Sequence, residues 1–143
     1  MNDLLSVQGN LALALTDSQG RIIETWQSKN MVVNSGKNAI VSLLSGSTTK
    51  NVTHIAVGLN DTAPVPTDVS ITSPYQKAIS TATVDANKVL FGFTFLESEA
   101  VGMDITEFGL IAQDGTLVAR ITRNPISKDA SMTLTGIWTI IIN

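Results

Sequence analysis

The stretch that decides the fold is Asp104-Ile105-Thr106-Glu107-Phe108-Gly109-Leu110-Ile111-Ala112-Gln113-Asp114-Gly115-Thr116-Leu117-Val118-Ala119-Arg120-Ile121. Two apolar runs flank Asp114-Gly115, a pair strongly expected in a tight hairpin turn. The reason is steric: a two-residue type I′ turn needs positive φ at both central positions, which Asp tolerates and Gly adopts freely. On the incoming run Phe108, Leu110 and Ala112 share one face, and Glu107, Gly109 and Ile111 share the other. On the outgoing run Leu117, Ala119 and Ile121 alternate with Thr116, Val118 and Arg120. Both faces are at least half apolar, so the hairpin is expected between layers or against another subunit.

Further rows of period two lie on either side. Leu11, Leu13 and Leu15 share a face, Asp17-Ser18-Gln19-Gly20 turns the chain, and Arg21 to Trp26 returns in a layout that loosely echoes the central hairpin. Val89, Phe91, Phe93 and Phe95 form the densest aromatic row. In the closing run Met132, Leu134, Gly136, Trp138, Ile140 and Ile142 face one way, and Thr133, Thr135, Ile137, Thr139 and Ile141 the other. A terminal strand apolar on both sides must be central in a sheet or covered by a partner. Met31–Val33, Val52–Gly58 and Tyr75–Asp85 complete the strands, and Asn124-Pro125 is expected to end the one after the hairpin.

Ala39, Ile40, Leu43 and Leu44 fall at helical spacing, with Asn34 or Ser35 as cap and Gly46 at the C-terminal stop. The one helix is therefore expected over Gly36–Ser45, short enough to depend on packing against a sheet. Leu59–Pro74, with Pro64, Pro66 and Pro74, reads as a long functional or contact-forming loop. No strand–helix–strand rhythm recurs. The expected class is mainly β: an antiparallel β-sandwich, jelly-roll or immunoglobulin-like, with one short α-helix near residues 36–45. Residues 1–8 read as an N-terminal arm and residues 9–143 as a single domain.

With 43% hydrophobic and only 15% charged residues, the 143-residue chain carries enough apolar surface for one core and too little charge for disorder. Cysteine is absent, which excludes disulfides and thiolate chemistry. No apolar run approaches the ~20 residues of a membrane span, so no membrane partner is expected. The net charge of −3 speaks against broad nucleic-acid binding. Acids gather between Asp85 and Asp114, and bases follow at Arg120, Arg123 and Lys128. The pattern suits a solvated acidic loop, or complementary patches that register neighbouring copies.

Candidates for chemistry are sparse. His54 is the sole histidine and lies in an expected strand without a nucleophile motif, which favours a core or interface role. One imidazole and no thiol make a poor start for zinc. Glu97 with Glu99, and Asp104 with Glu107, are close in sequence, but a glycosidase needs two carboxyls facing each other across a cleft. Glu107 reads better as a structural carboxylate that accepts backbone N–H bonds or pairs with a base such as Arg120. Asn60-Asp61 and Asp114 suit Asx-turns more simply than calcium. No catalytic, metal or cofactor residue is nominated.

Glu107-Phe108-Gly109-Leu110-Ile111 followed by Asp114-Gly115-Thr116-Leu117-Val118-Ala119-Arg120 resembles a signature of small virion proteins of tailed bacteriophages. Asn30 to Lys37, Ile55 to Gly58 and Trp138 to Ile140 add weaker matches, so the blocks are scattered over most of the chain. The resemblance implies a non-enzymatic structural protein of the virion, made in the host cytoplasm. Such proteins include tail-collar and fibre-base modules, which usually begin longer fibres, and free-standing accessories. A chain that stops at its closing strand favours a capsid cement or decoration protein that binds across shell seams. The alternatives are a tail, collar, baseplate or fibre-base component and, second, a carbohydrate- or receptor-binding β-sandwich. That last reading wants exposed loop aromatics, whereas Trp26, Tyr75 and Trp138 fall in expected strands. Partners would be the major capsid protein or tail and baseplate proteins, and further copies of the chain. The residues nominated for contact are Asn2, Asp3, Leu4, Leu5, Met31, Val33, Pro64, Pro66, Arg120 and Arg123.

Overall fold

The rows of period two become strands and the helical row becomes the helix. The structure, a computed structural model, describes residues 5–143; the nominated Asn2, Asp3 and Leu4 lie outside them. In order the elements are β1 (Val7–Asp17), β2 (Ile22–Val32), α1 (Asn34–Ser45), β3 (Val52–Gly58), β4 (Tyr75–Ala78), β5 (Thr81–Asp85), β6 (Lys88–Phe95), β7 (Asp104–Ala112), β8 (Leu117–Ser127) and β9 (Met132–Ile142). Strand makes up 55% of the described residues and helix 9%, so the class is mainly β.

The nine strands of the described residues join one antiparallel sheet in the order β4-β3-β7-β8-β2-β1-β9-β6-β5, curled into a half-barrel. The sequence suggested two stacked sheets; the strands form one run because β2 changes partners midway, and a second stretch, β4–β5, links its two ends. β2 pairs with β1 as far as Asn30 and then gives Met31 and Val32 to Arg120 and Ala119 of β8. β4 and β5 lie at opposite ends of the strand order yet are joined by Ile79-Ser80 alone. The N–H of Ile79 donates to Thr53 O at 2.9 Å and that of Ser80 to Gly92 O at 2.8 Å, handing the chain from one end to the other. A bent strand that switches partners is the usual way to turn such a corner.

The inside of the curl is one apolar cluster fed from both halves. Leu11, Leu13, Phe91, Phe93, Phe95, Leu134 and Trp138 come from one half, and Ile55, Val57, Phe108 and Leu110 from the other. β9 lies between β1 and β6, so the doubly apolar closing strand is central. A smaller cluster of Val33, Ala56, Ile71, Ile111 and Leu117 lies apart from it. The central hairpin thus divides its apolar residues between two clusters: Phe108, Leu110 and Ala112 join the larger and Ile111 the smaller.

Several local expectations change for identifiable reasons. The assigned arm shortens, because Val7 and Gln8 already pair with Ile142 and Ile141 and the backbone of Ser6 pairs with Asn143. Met31–Val33 is no free edge, being bonded to β8. Leu117 leaves the row of Ala119 and Ile121, since the register shifts between Leu110 and Ile111. Pro125 does not end β8; it lies where the register shifts between Ile105 and Glu107, and a bulge has no use for the N–H it lacks.

The Asp-Gly turn is not type I′, because only Gly115 has positive φ, at 91°. Asp114 accepts the Thr116 N–H on Oδ1 at 3.0 Å, and Gly115 N donates to Ala112 O at 2.9 Å. That is a three-residue loop with glycine at its left-handed position. The first hairpin repeats it, Gly20 N donating to Asp17 O at 3.0 Å, so the echo between the two hairpins is a shared turn class.

A Cβ at Gly115 would touch nothing within 4 Å, so a substitution there is opposed by backbone conformation alone. Gly115→Val should lower the unfolding free energy by about 1–2 kcal/mol in chemical denaturation. A variant as stable as the parent would contradict the positive φ.

Candidate assembly surface

Two of the nominated residues turn inward. Arg120 of β8 and Glu107 of β7 are buried on neighbouring strands, with Arg120 Nε donating to Glu107 Oε2 at 2.8 Å. Their remaining valences go to the 59–74 loop. Arg120 donates to Asp68 Oδ2 at 2.9 Å, Thr62 O at 3.0 Å and Asn60 O at 3.1 Å. Glu107 Oε1 accepts from Thr72 N at 2.6 Å and Asn60 N at 3.2 Å. Both structural roles suggested for Glu107, acceptor of backbone N–H and partner of Arg120, are present together. Arg120 is therefore no surface contact; its charge is spent inside the protomer. Val33 is fully buried as well and donates its N–H to Val118 O at 3.2 Å.

Part of the charge segregation seen along the sequence is resolved within the fold. Arg123 reaches Glu24 Oε1 at 3.0 Å and lies over the Trp26 ring, 5.1 Å from its centroid. Glu99 accepts from Lys77 and from the Leu96 N–H, and the Lys77 hydrogen bond holds its carboxyl below the usual range. Asp104 accepts the Ser127 hydroxyl at 2.7 Å. Lys128 is buried without a carboxylate ligand: its Nζ donates to the carbonyls of Leu96, Asp129 and Glu97 at 3.0, 3.0 and 3.2 Å. Burial pulls its pKa down, against the pull of Asp129, Glu97 and Glu99 in the other direction. His54 is half-buried on β3 with Nδ1 against Thr53 Oγ1 at 2.8 Å. Among the described residues no group of three or more His, Asp or Glu could hold a metal ion, and no helix is long and apolar enough to cross a membrane.

Several large apolar side chains also face solvent, those of the helix among them. α1 buries only Gly36, whose missing side chain lets the helix meet β8 backbone to backbone: a Cβ there would stand 2.1 Å from Val118 O. Main-chain and hydroxyl bonds fix its first turn, Ser35 Oγ to Leu117 O at 2.6 Å and Asn34 N to Pro66 O at 2.8 Å. Its N-cap is Val33, without a side-chain hydrogen bond, so neither Asn34 nor Ser35 caps it. Gly46 closes it at φ 75° as expected. Because the backbone anchors the helix, its apolar row need not pack inward, contrary to expectation. Val41 is 64% exposed and Leu44 83%.

Beside this row a shallow groove of about 390 Å³ is lined by Leu5, Val7, Lys37, Ile40 and Val41. A second, of about 480 Å³, shares Val7 and Lys37 and continues to Met31 and Pro64. Three nominated residues, Leu5, Met31 and Pro64, thus fall on one strip. Pro66 is exposed and lends its carbonyl to the helix, and Arg123 does not line this strip. Ile40, Val41 and Leu44 were missed, because helical spacing alone reads as a buried face. The available signal was Gly36, a residue that suits close backbone approach at the start of a short helix.

Comparison with family models, with curated proteins and with solved structures finds no match.

Removing the guanidinium strands a buried carboxylate. Arg120→Met should cost about 3–5 kcal/mol by chemical denaturation. Adding Glu107→Leu should recover part of that loss, not all, since the N–H groups of Asn60 and Thr72 then lack an acceptor. Lys128 predicts a pH effect. The folded protein releases its proton at lower pH than the unfolded chain, so stability rises with pH between the two pKa values, up to the ordinary 10.5. The stability difference between wild type and Lys128→Met should therefore grow through that alkaline window, measured by denaturation across pH.

Proposed function

We propose that this chain is a non-enzymatic structural protein of a tailed-bacteriophage virion, a capsid cement or decoration protein that binds across seams between shell subunits. The observation that carries the reading is the strip made by exposed Leu5, Val41 and Leu44 and half-buried Ile40, beside Met31 and Pro64. Exposed apolar patches of this kind mark sites of protein contact. Burying them removes water from apolar area, and Lys37, which lines both grooves, is a cation whose ammonium must stay hydrated or find an acidic partner at the seam. Contacts of about 1,000 Å² or more per junction would be needed for lasting attachment. The sequence resemblance in β7 and β8 supports the same class. A two-layer, sandwich-like core belongs to this reading, supported by the single cluster that both halves of the sheet share.

The test is to locate the protein on purified particles of the source phage by electron cryomicroscopy. Density at seams of the head is expected, with the α1 strip facing the shell. Density in the tail, collar, baseplate or fibre base would move the protein to the alternative placement, and its absence from particles would overturn the reading. The double variant Val41→Asp/Leu44→Asp should keep its stability to within about 0.5 kcal/mol, as surface changes do. Its attachment to particles should fall at least about tenfold, the effect of losing two apolar contacts.

A further inference from the structure

The two ends of the curled sheet are treated differently. β4 follows Pro74, carries Lys77 in an ion pair with Glu99, and packs Tyr75 edge-on against Phe95 at 6.0 Å. These are common ways of blunting an edge strand. β5 has none of them. Its sequence Thr81-Ala82-Thr83-Val84-Asp85 holds no proline and no lysine, all five residues are exposed, and Val84 is 77% exposed. Among the described residues its one strand partner is β6.

The register tells which backbone groups are free. Asp85 and Lys88 are paired across the two-residue turn Ala86-Asn87, which makes them a pair that exchanges both hydrogen bonds. The alternation then turns Thr83 and Thr81 toward β6, and leaves the N–H and C=O of Ala82 and Val84 pointing outward. These outward residues are placed symmetrically about Thr83.

We infer that β5 is a homodimer edge: two copies pair through it, antiparallel, about a twofold axis at Thr83. The outward groups of Ala82 meet those of Val84 of the second copy, and the reverse, giving four backbone hydrogen bonds with none left over. The side chains match in the same register. Val84 packs beside Ala82 of the other copy, Thr83 meets its own counterpart, and each Thr81 hydroxyl lies beside the other copy's Asp85 carboxylate. Thr–Thr and apolar cross-strand pairs of this kind are favourable. A second copy suits this edge because the strand is complementary to itself at every position. The contact is independent of where on a particle the protein sits. Five residues a side fall short of the ~1,000 Å² of an autonomous interface, so the dimer is weak in solution and strengthens wherever copies are held together.

The chain has no cysteine, so a single introduced thiol reports the register cleanly. With Thr83→Cys the two thiols face each other at about 4.5 Å between Cα atoms, within disulfide reach. With Thr81→Cys they stand about 13 Å apart, beyond it. Under mild oxidation the full chain should form covalent dimers at least about tenfold faster for Thr83→Cys than for Thr81→Cys. Equal rates, or a faster Thr81→Cys, overturn the register. Independently, Thr83→Lys and Thr83→Glu should each sediment as monomers, while an equimolar mixture of the two forms a mixed dimer. Failure of the mixture to associate more than either variant alone overturns the twofold contact.

Discussion

The buried pair of Glu107 and Arg120 is the constraint on which the hairpin side of the molecule depends. Two charges removed from water are tolerated only if nearly every lone pair and proton finds a partner. β7 and β8 supply one such bond between them; the others come from outside the sheet. The 59–74 loop provides them, through the carbonyls of Asn60 and Thr62, the N–H groups of Asn60 and Thr72, and the Asp68 carboxylate. A fork of donors in a plane can serve Glu107, Asp68 and two carbonyls at once, a role lysine could not fill. The loop is long for a connection without secondary structure, and this is why it is ordered. Space for it is cleared by small residues: a Cβ at Gly58 would stand 2.5 Å from Glu107 Oε1, and one at Gly109 would stand 2.7 Å from the Ile71 side chain. Ile71 then fills that gap and seals the smaller apolar cluster.

Much of this was legible in the residues. Alternation placed Leu11, Leu13 and Leu15, the phenylalanine row and the closing strand on the correct faces, because a strand with one buried side has no freedom in period. Glu107 and Arg120 were readable as a structural pair, since a carboxylate inside an apolar run needs a base nearby. Less legible were the features that depend on a single extra residue. The shift at Val118 moves Leu117 from one cluster to the other, and the one around Pro125 lets β8 run past a proline; neither leaves a mark in hydropathy. The partner changes of β2 and of β4–β5 were equally hidden. Sequence showed apolar continuity through Met31–Val33 and Tyr75–Asp85, and continuity does not say with which neighbour each residue bonds.

The assembly strip was only half visible, for a related reason. A helical row of Ala39, Ile40, Leu43 and Leu44 is the usual mark of a face turned inward. Here the helix is fixed to the sheet by backbone contact at Gly36 and by hydrogen bonds at Ser35 and Asn34, so side-chain burial is not what orients it. Once the anchor is a close backbone contact and hydrogen bonds, Leu43 and Leu44 of the apolar row are free to point away. Leu5, Met31 and Pro64 come from three separate segments, and only the fold brings them beside that row.

These observations share one physical logic. Some side chains that water would hold strongly are withdrawn: Glu107 and Arg120 bind each other, Arg123 is drawn over Trp26, and Lys128 is enclosed by three carbonyls. Side chains that water holds weakly, Leu5, Val41, Leu44 and Val84 among them, are left outside. In a protein acting alone this arrangement is unfavourable on both counts, since buried charge is costly and exposed apolar area tends to associate. It becomes favourable where the surface is meant to be covered. Buried charge fixes one geometry for the loop, so the face that a partner meets does not need to be ordered at the moment of contact. Exposed apolar groups then supply attraction with little desolvation cost. Under the proposed seam-binding role, the withdrawn charges and the bare apolar strip would be two halves of one arrangement.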